Sequence, residues 1–200
     1  DPEIAGEKAF DWNKQFPEIM QKGGFDVVIG NPPYGDYFSN DEKYFVQNKF
    51  QNSFSGTFDI YITFFELALR ITKSKGKLCF ITPNTFINYN QFSSLRSILI
   101  KGNNIEQIIS LINVFEDAIL DSAIILLTKN QIQKSLYKGL IFKKEVTSLD
   151  SSIIPKLNSN SLTNKGFNLN SSKNFNVKKL IKKQPYKLSD VIKITQGITT

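Results

Sequence analysis

Residues 25–34 read Phe25-Asp26-Val27-Val28-Ile29-Gly30-Asn31-Pro32-Pro33-Tyr34, an apolar run that ends abruptly at a glycine and two prolines. The first half is typical of a buried β-strand. The prolines end the strand, because proline has no N–H to donate to a ladder. The chain is therefore predicted to leave a sheet at Asn31. In open α/β sheets ligands bind at the carboxyl ends of strands, so this exit is a candidate site.

The exit places a carboxamide, a rigid backbone carbonyl and an aromatic ring together, which suits a planar base with an exocyclic amine. The lone pair of such an amine is delocalised into the ring, so its N–H bonds need two acceptors before the nitrogen can take a methyl group. The Asn31 side-chain oxygen is one predicted acceptor. The Pro32 carbonyl, held by the fixed φ angles of Pro32 and Pro33, is the other. Tyr34 is predicted to stack on the base, an interaction of roughly 1–3 kcal/mol.

This chemistry requires no strong base, which fits a chain without histidine. The alternative is a proline-rich turn after a strand, with Tyr34 as a packing residue. The apolar strand before the motif and the tyrosine after it favour the chemical interpretation.

Asn31-Pro32-Pro33-Tyr34 resembles the catalytic motif of S-adenosylmethionine-dependent amino-methyltransferases. Adenine-N6 DNA methyltransferases, some RNA methyltransferases and the glutamine methyltransferases of release factors share this motif. The upstream runs narrow the resemblance to the gamma group of adenine DNA methyltransferases, especially those of type II restriction–modification systems with fused activities. These runs are Phe10-Asp11-Trp12, Phe16-Pro17-Glu18 and Gly23-Gly24-Phe25-Asp26.

The resemblance implies an α/β fold, namely part of a doubly wound methyltransferase sheet with helices on both faces. It also implies S-adenosylmethionine as the cofactor and double-stranded DNA as the partner. Phe115 falls where an aromatic residue of the gamma group stacks on the flipped adenine, opposite the tyrosine of the motif. The alternative is that Phe115 is a core residue at the entry to a strand. This alternative carries weight because the chain has 17 phenylalanines.

Composition agrees with an anionic partner. The chain has 25 Lys and Arg against 18 Asp and Glu, a formal charge of +7. An AT-rich genome, which favours lysine codons, is an alternative cause. A single Cys79 excludes an internal disulfide, and without histidine no metal site is expected. No apolar run reaches the ~20 residues of a membrane span, and no signal peptide is recognised at the start, so a cytoplasmic protein is predicted.

Hydrophobic spacing predicts alternating helices and strands. A helix is predicted over 58–74, ended by Gly76, and another within 86–100. Strands are predicted at 78–82, 105–111 and 122–128, followed by a hairpin over 131–144 with its turn at Lys138-Gly139. Residues 35–56 are predicted to form a loop with one short helix. In this segment Lys43 and Lys49 are candidates for DNA phosphate contacts in an active-site flap, and a solvated loop is the equal alternative.

The predicted organisation has three parts: the C-terminal part of a methyltransferase domain at 1–145, a linker or extended arm at 146–184, and the start of a target-recognition domain at 185–200. No Gly-rich turn precedes Phe25, so the main cofactor-binding motif is expected outside this chain. The chain is accordingly predicted to be a fragment of a longer enzyme that is inactive alone. Its oligomeric state is not predicted.

Two other functions compete with adenine methylation of DNA. An RNA or protein-glutamine methyltransferase would use the same two acceptors, although the basic charge, Phe115 and the recognition-like C-terminus argue against a protein substrate. A non-catalytic nucleic-acid-binding module would keep the sheet without the chemistry. The intact Asn-Pro-Pro-Tyr motif argues against that second alternative.

Overall fold

The structure is a computed structural model that describes residues 10–54, 58–112, 120–143 and 154–169. The helices within these ranges are α1 Trp12–Gln15, α2 Pro17–Gln21, α3 Asn40–Lys49, α4 Ile60–Ile71 and α5 Ser93–Ile100. The strands are β1 Phe25–Gly30, β2 Thr72–Pro83, β3 Asn104–Ile112, β4 Ser122–Thr128, β5 Leu136–Lys143, β6 Lys156–Asn158, β7 Leu162–Thr163 and β8 Gly166–Phe167. Short 3₁₀ turns follow β2 and β6.

Six of the strands form one sheet in the order β1-β2-β4-β3-β5-β6, and β7 pairs with β8 in a separate hairpin. The parallel pairs are β1 with β2 and β3 with β5, whereas β4 is antiparallel to both of its neighbours and β6 is antiparallel to β5. It follows that β1, β2, β3 and β5 point the same way. The mostly parallel sheet of the predicted α/β class is confirmed.

The main core lies on the face of the sheet that α4 and α5 cover. Alternate residues of the strands meet the apolar sides of both helices there. Members of this cluster include Phe65, Leu78, Phe80, Leu95, Leu99, Ile108 and Ile125. The opposite face carries a smaller buried cluster of Ile109, Leu111, Phe142 and Ile154. Thus α4 and α5 lie on the same face of the sheet.

Among the described residues strand β1 pairs with β2 alone, and the predicted buried strand is only partly buried there. Its side chains alternate: Val28 packs against the main core, whereas Val27 and Ile29 are 57% and 77% exposed. Phe25, at its start, is in ring contact with Trp12 at 5.7 Å and Phe16 at 5.4 Å. The short helices before the motif therefore pack against the start of β1.

The helix predicted over 58–74 ends earlier, at Ile71, and β2 begins at once. Thr72 is fully buried and extended, and its hydroxyl donates to the Ala68 carbonyl at 2.6 Å, which satisfies an acceptor at the helix end. Gly76 lies inside β2 rather than at the end of the helix. A Cβ there would be 2.9 Å from the Phe25 carbonyl oxygen, so the glycine permits the close approach of β1.

The predicted hairpin over 131–144 is wrong, because 136–143 form the single strand β5. Gly139 lies in the middle of that strand, opposite Ile108 of β3. A Cβ on Gly139 would be 2.5 Å from a methyl carbon of Leu157. The glycine therefore makes room for a side chain of β6 and does not form a turn.

Residues 154–169, inside the segment predicted as a linker or arm, belong to the packed structure. They contribute β6 to the sheet, and the β7–β8 hairpin packs near Tyr137, whose hydroxyl lies 2.9 Å from the Ser161 hydroxyl and donates to the Asn168 carbonyl at 3.2 Å. The boundaries at 145/146 and 184/185 both fall outside the described residues, as does the predicted recognition segment 185–200. The three-part division stays a prediction.

A fully buried arginine joins the hairpin to the loop after β2. Arg96 of α5 donates from Nε to the Asn164 carbonyl at 2.9 Å, and from Nη1 to the Phe86 carbonyl at 2.7 Å and the Tyr89 carbonyl at 2.8 Å. Burial lowers the pKa of the guanidinium. Its charge is thus balanced by carbonyl dipoles from two separate segments.

Within the described part of the chain, no helix combines the length and the apolar composition that crossing a lipid bilayer requires.

Candidate active site

The carboxyl ends of the parallel strands meet at one edge of the sheet, which we call the rim. The rim comprises residues 31–35 after β1, residues 84–89 after β2, and the end of β3 at Ile112. The four motif residues follow β1 directly and so lie at this rim. Their position is the one that the sequence predicts, at the edge where α/β sheets bind ligands.

Two of the three predicted functional groups of the motif, the Asn31 carboxamide and the Tyr34 ring, belong to exposed residues, whereas the Pro32 carbonyl belongs to a buried one. Asn31, Pro33 and Tyr34 are exposed, Tyr34 to 45%, whereas Pro32 is buried. No hydrogen bond joins the Asn31 carboxamide to another described residue, so its oxygen is available to a ligand. Beneath the motif lies a cavity of about 230 Å³, which Asn31, Pro32 and Pro33 border together with apolar side chains of α1, β1 and α4.

Gly35, the residue after the motif, is bound to the start of α4 by two hydrogen bonds. Its N–H donates to Asp59 Oδ1 at 2.8 Å, and its carbonyl accepts from the Ile60 N–H at 3.1 Å. Its φ of +107° lies in the region that favours glycine. Burial raises the pKa of the Asp59 carboxyl, and the charge of nearby Asp36 raises it further, while the hydrogen bond from Gly35 works in the opposite direction.

The second rim segment is held by contacts to three elements. The Asn84 N–H donates to the Asp121 carbonyl at 2.8 Å, and its side-chain nitrogen donates to the Ser110 hydroxyl at 3.2 Å. The Thr85 hydroxyl lies 3.2 Å from the hydroxyl of Tyr61, which is fully buried. Burial raises the pKa of Tyr61 far above its usual value, so its role here is that of a neutral structural group.

The predicted flap contains a ten-residue helix, α3, longer than the short helix expected there. A capping box starts it: the Glu42 N–H donates to the Ser39 hydroxyl at 3.3 Å, and the Ser39 N–H donates to the Glu42 carboxylate at 2.9 Å. The bonds from Ser39 hold the pKa of Glu42 below its usual value.

The two candidate phosphate contacts sit at different places on this flap. Lys43 pairs with Asp36 at 2.6 Å and lies 5.8 Å from the ring centre of Phe58. Lys49 is exposed at the end of α3, and its carbonyl accepts a hydrogen bond from Arg70 at 2.7 Å. The ion pair with Asp36 thus holds Lys43 near the motif. The contacts of Lys43 and Lys49 with DNA phosphates stay predictions.

A buried carboxylate that the sequence analysis missed fastens the flap to α4. Glu66 is 5% exposed and accepts hydrogen bonds from Ser53 at 2.7 Å, Asn52 at 3.2 Å and Arg70 at 2.7 Å. The available signal was a lone carboxylate inside the apolar run of α4, since a buried charge must find partners.

Phe115 lies outside the described residues. The strand before it, β3, ends at Ile112 on the same edge as the motif, three strand positions from β1. Three spacings of ~4.8 Å place the two strand ends roughly 14 Å apart. The predicted stacking of Phe115 opposite Tyr34 stays a prediction, and the strand order is compatible with it.

The fold defines the class of protein. It matches the solved structure of a putative class I S-adenosylmethionine-dependent methyltransferase from Listeria monocytogenes, with a TM-score of 0.51 and 25% identity over 65% of this chain and 39% of that one. It also matches the Type IIL restriction–modification enzyme MmeI, solved in complex with DNA, with a TM-score of 0.55 and 17% identity over 82% of this chain and 22% of that one. The chain has the sheet of an S-adenosylmethionine-dependent methyltransferase.

The sequence places the chain within this class. Residues 1–115 match the Eco57I restriction-modification methylase family, and the chain belongs to that family. A relative from Methanocaldococcus jannaschii, described as a putative type II restriction enzyme and methyltransferase, is 37% identical over 123 residues, which are 61% of this chain and 10% of that protein. The matches span between 10% and 26% of the curated relatives.

Proposed function

We propose that this chain is the motif-bearing part of a longer DNA methyltransferase of a restriction–modification system. The proposed reaction transfers a methyl group from S-adenosylmethionine to the exocyclic amine of adenine in double-stranded DNA. The observation that carries the proposal is the placement of Asn31-Pro32-Pro33-Tyr34 at the rim, with the Asn31 carboxamide and the Tyr34 ring both accessible.

The motif residues supply acceptors and a stacking surface. The Asn31 oxygen and the Pro32 carbonyl accept the two N–H bonds of the amine, which returns electron density to the nitrogen as it attacks. Because these bonds strengthen as positive charge develops on nitrogen, they favour the transition state over the bound substrate. Tyr34 stacks on the base and fixes its plane.

The cofactor supplies an electrophilic methyl group. The rim fits the amine side of this reaction, since it offers acceptor oxygens and no described residue forms an ion pair or hydrogen bond with the Asn31 side chain. The Gly-rich turn expected to hold the cofactor is not recognised before β1, so we assign no residue of this chain to the main cofactor site.

Adenine in DNA is favoured over the other substrates that the motif admits. The formal charge of +7 suits a polyanion, and the exposed Tyr34 suits a base better than a glutamine side chain. MmeI, a structural neighbour, was solved in complex with DNA, which supports DNA as the substrate.

Residues 1–200 by themselves are expected to bind S-adenosylmethionine weakly and to transfer no methyl group to DNA, because the main cofactor motif is expected elsewhere in the longer enzyme. Titration calorimetry of the chain with the cofactor tests this, and the longer enzyme is the positive control. Affinity of the chain equal to that of the longer enzyme would contradict this placement of the cofactor site.

Base extrusion gives a second expected result. In the longer enzyme, Tyr34→Ala and Phe115→Ala should slow methylation of a paired adenine more than that of a mismatched adenine, because a mismatched base costs less to unstack. The measurement compares single-turnover rates on matched and mismatched duplexes. Tyr44→Ala, which removes a ring of α3 that is 72% exposed, is the matched control. Equal losses on both duplexes would argue against a flipping role.

A further inference from the structure

We propose that Asp59 is a positioning residue, which sets the orientation of the motif by holding the backbone N–H of Gly35. This inference rests on the proposed function, since it concerns the same reaction. Asp59 lies at the start of α4, 24 residues from Gly35, and its carboxylate is not among the groups predicted to touch the base.

The motif is a short bridge between two fixed points. At its upstream end, Gly30 is paired with Phe80 of β2 in the parallel ladder. At its downstream end, Gly35 is held by Asp59 Oδ1 at 2.8 Å and by the Ile60 N–H at 3.1 Å. The orientation of the acceptors at positions 31 and 32 therefore depends on how these two ends are held.

Local conformation does not fix the downstream end by itself. Gly35 has a φ of +107°, and glycine populates positive and negative φ with similar ease. L side chains rarely adopt this φ, so a stiffer residue would be strained at this position. A flexible residue in this conformation needs an external contact to keep it there, and Asp59 supplies the side-chain part of that contact.

The geometry of the contact requires an acceptor oxygen on the side chain at position 59. Burial raises the pKa of Asp59, the hydrogen bond from Gly35 lowers it, and the charge of Asp36 raises it. Lys43 pairs with Asp36 and not with Asp59. Asparagine at position 59 would keep the oxygen that accepts from Gly35 and would remove the buried charge.

Loss of the acceptor should act on the chemical step. Misplacement of reacting groups by about 1 Å can cost on the order of 10²-fold in rate, even when the altered residue does not touch the substrate. We expect Asp59→Ala to lower kcat by about 10- to 100-fold, with KM for DNA and for the cofactor changed by less than about threefold.

The test uses the longer enzyme with Asp59→Ala, Asp59→Asn and, as a control, Asp41→Ala. Asp41 is an exposed carboxylate in the first turn of α3, so its removal changes the local charge without removing the Gly35 contact. The expected order of kcat is wild type, Asp41→Ala and Asp59→Asn at similar values, with Asp59→Ala far below. Amide exchange of residues 31–36 should accelerate in Asp59→Ala alone.

Two results would overturn the inference. Asp59→Ala with the kcat and amide protection of the wild type would show that the contact is dispensable, and Asp59→Asn as impaired as Asp59→Ala would show that charge matters rather than the acceptor. If Asp59→Ala is too unstable for kinetics, Asp59→Asn still tests whether an uncharged acceptor at position 59 is sufficient. Its kcat and the amide exchange of residues 31–36 are then compared with those of the wild type. A wild-type enzyme that does not methylate adenine would instead contradict the proposed function, and the exchange result would still decide whether Asp59 holds Gly35.

Discussion

Replacement of Asn31 by alanine in the longer enzyme is expected to lower the single-turnover rate of adenine methylation by about 10²–10³-fold, the usual effect of removing one group that stabilises charge in a transition state. The variant loses an acceptor whose bond to the amine strengthens as the methyl group arrives. Affinity for DNA should stay within about threefold, because contacts that act only in the transition state do not contribute to ground-state binding.

A quenched-flow assay of methyl transfer, paired with a fluorescence measurement of DNA affinity, separates these effects. Asn13→Ala is the matched control, since Asn13 is an exposed asparagine on α1, outside the motif. Methyl transfer at the wild-type rate in Asn31→Ala would remove this residue from the mechanism. An equal fall in affinity and rate would assign it to binding instead.

The largest loss of stability is expected from Arg96→Met. Methionine fills much of the same volume but leaves the carbonyls of Phe86, Tyr89 and Asn164 without their donor. A buried polar group left without a partner costs about 1–3 kcal/mol, and removal of the buried charge offsets part of the sum. The free energy of unfolding should fall by about 2–5 kcal/mol, as measured by urea denaturation.

Two further variants show how much of that loss of stability comes from the buried hydrogen bonds. Arg96→Lys should lie between wild type and Arg96→Met, because an ammonium can reach some of the three carbonyls. Lys73→Met, on β2, removes a lysine whose side chain is 39% exposed and whose partner Asp26 is 79% exposed, and it should cost less, since a surface ion pair contributes little to stability. If Arg96→Met unfolds at the same urea concentration as the wild type, the three hydrogen bonds contribute nothing net to stability.

The strands that the sequence predicted well are those with a clear apolar period and a clear end. Ser122–Thr128 has the predicted bounds, and the exit of β1 at Asn31 follows from the prolines. The interpretations of Gly76 and Gly139 failed for a common reason. Glycine favours turns and helix ends, but it also permits close packing between strands, and only the neighbouring strand reveals which applies.

The same limit applies to the site. The motif and its place at the rim could be predicted, because four consecutive residues carry both the strand end and the chemistry. The supporting contacts of Asp59 and Glu66 could not, since each joins residues that are far apart in the chain. A carboxylate before or within an apolar helix was a visible signal, but its partner depends on how that helix docks on the sheet.

The position of β1 at the sheet edge has a practical consequence for anyone who handles the chain. Among the described residues β1 pairs with β2 alone, and Val27 and Ile29 stand exposed beside its outer backbone. Strand edges of this kind recruit strands from other molecules, which leads to concentration-dependent association. Asp26, paired with Lys73, places one charge along the edge and opposes such recruitment. Val27→Lys would add a second charge to this edge, at an exposed position that does not border the cavity beneath the motif, and should reduce concentration-dependent association.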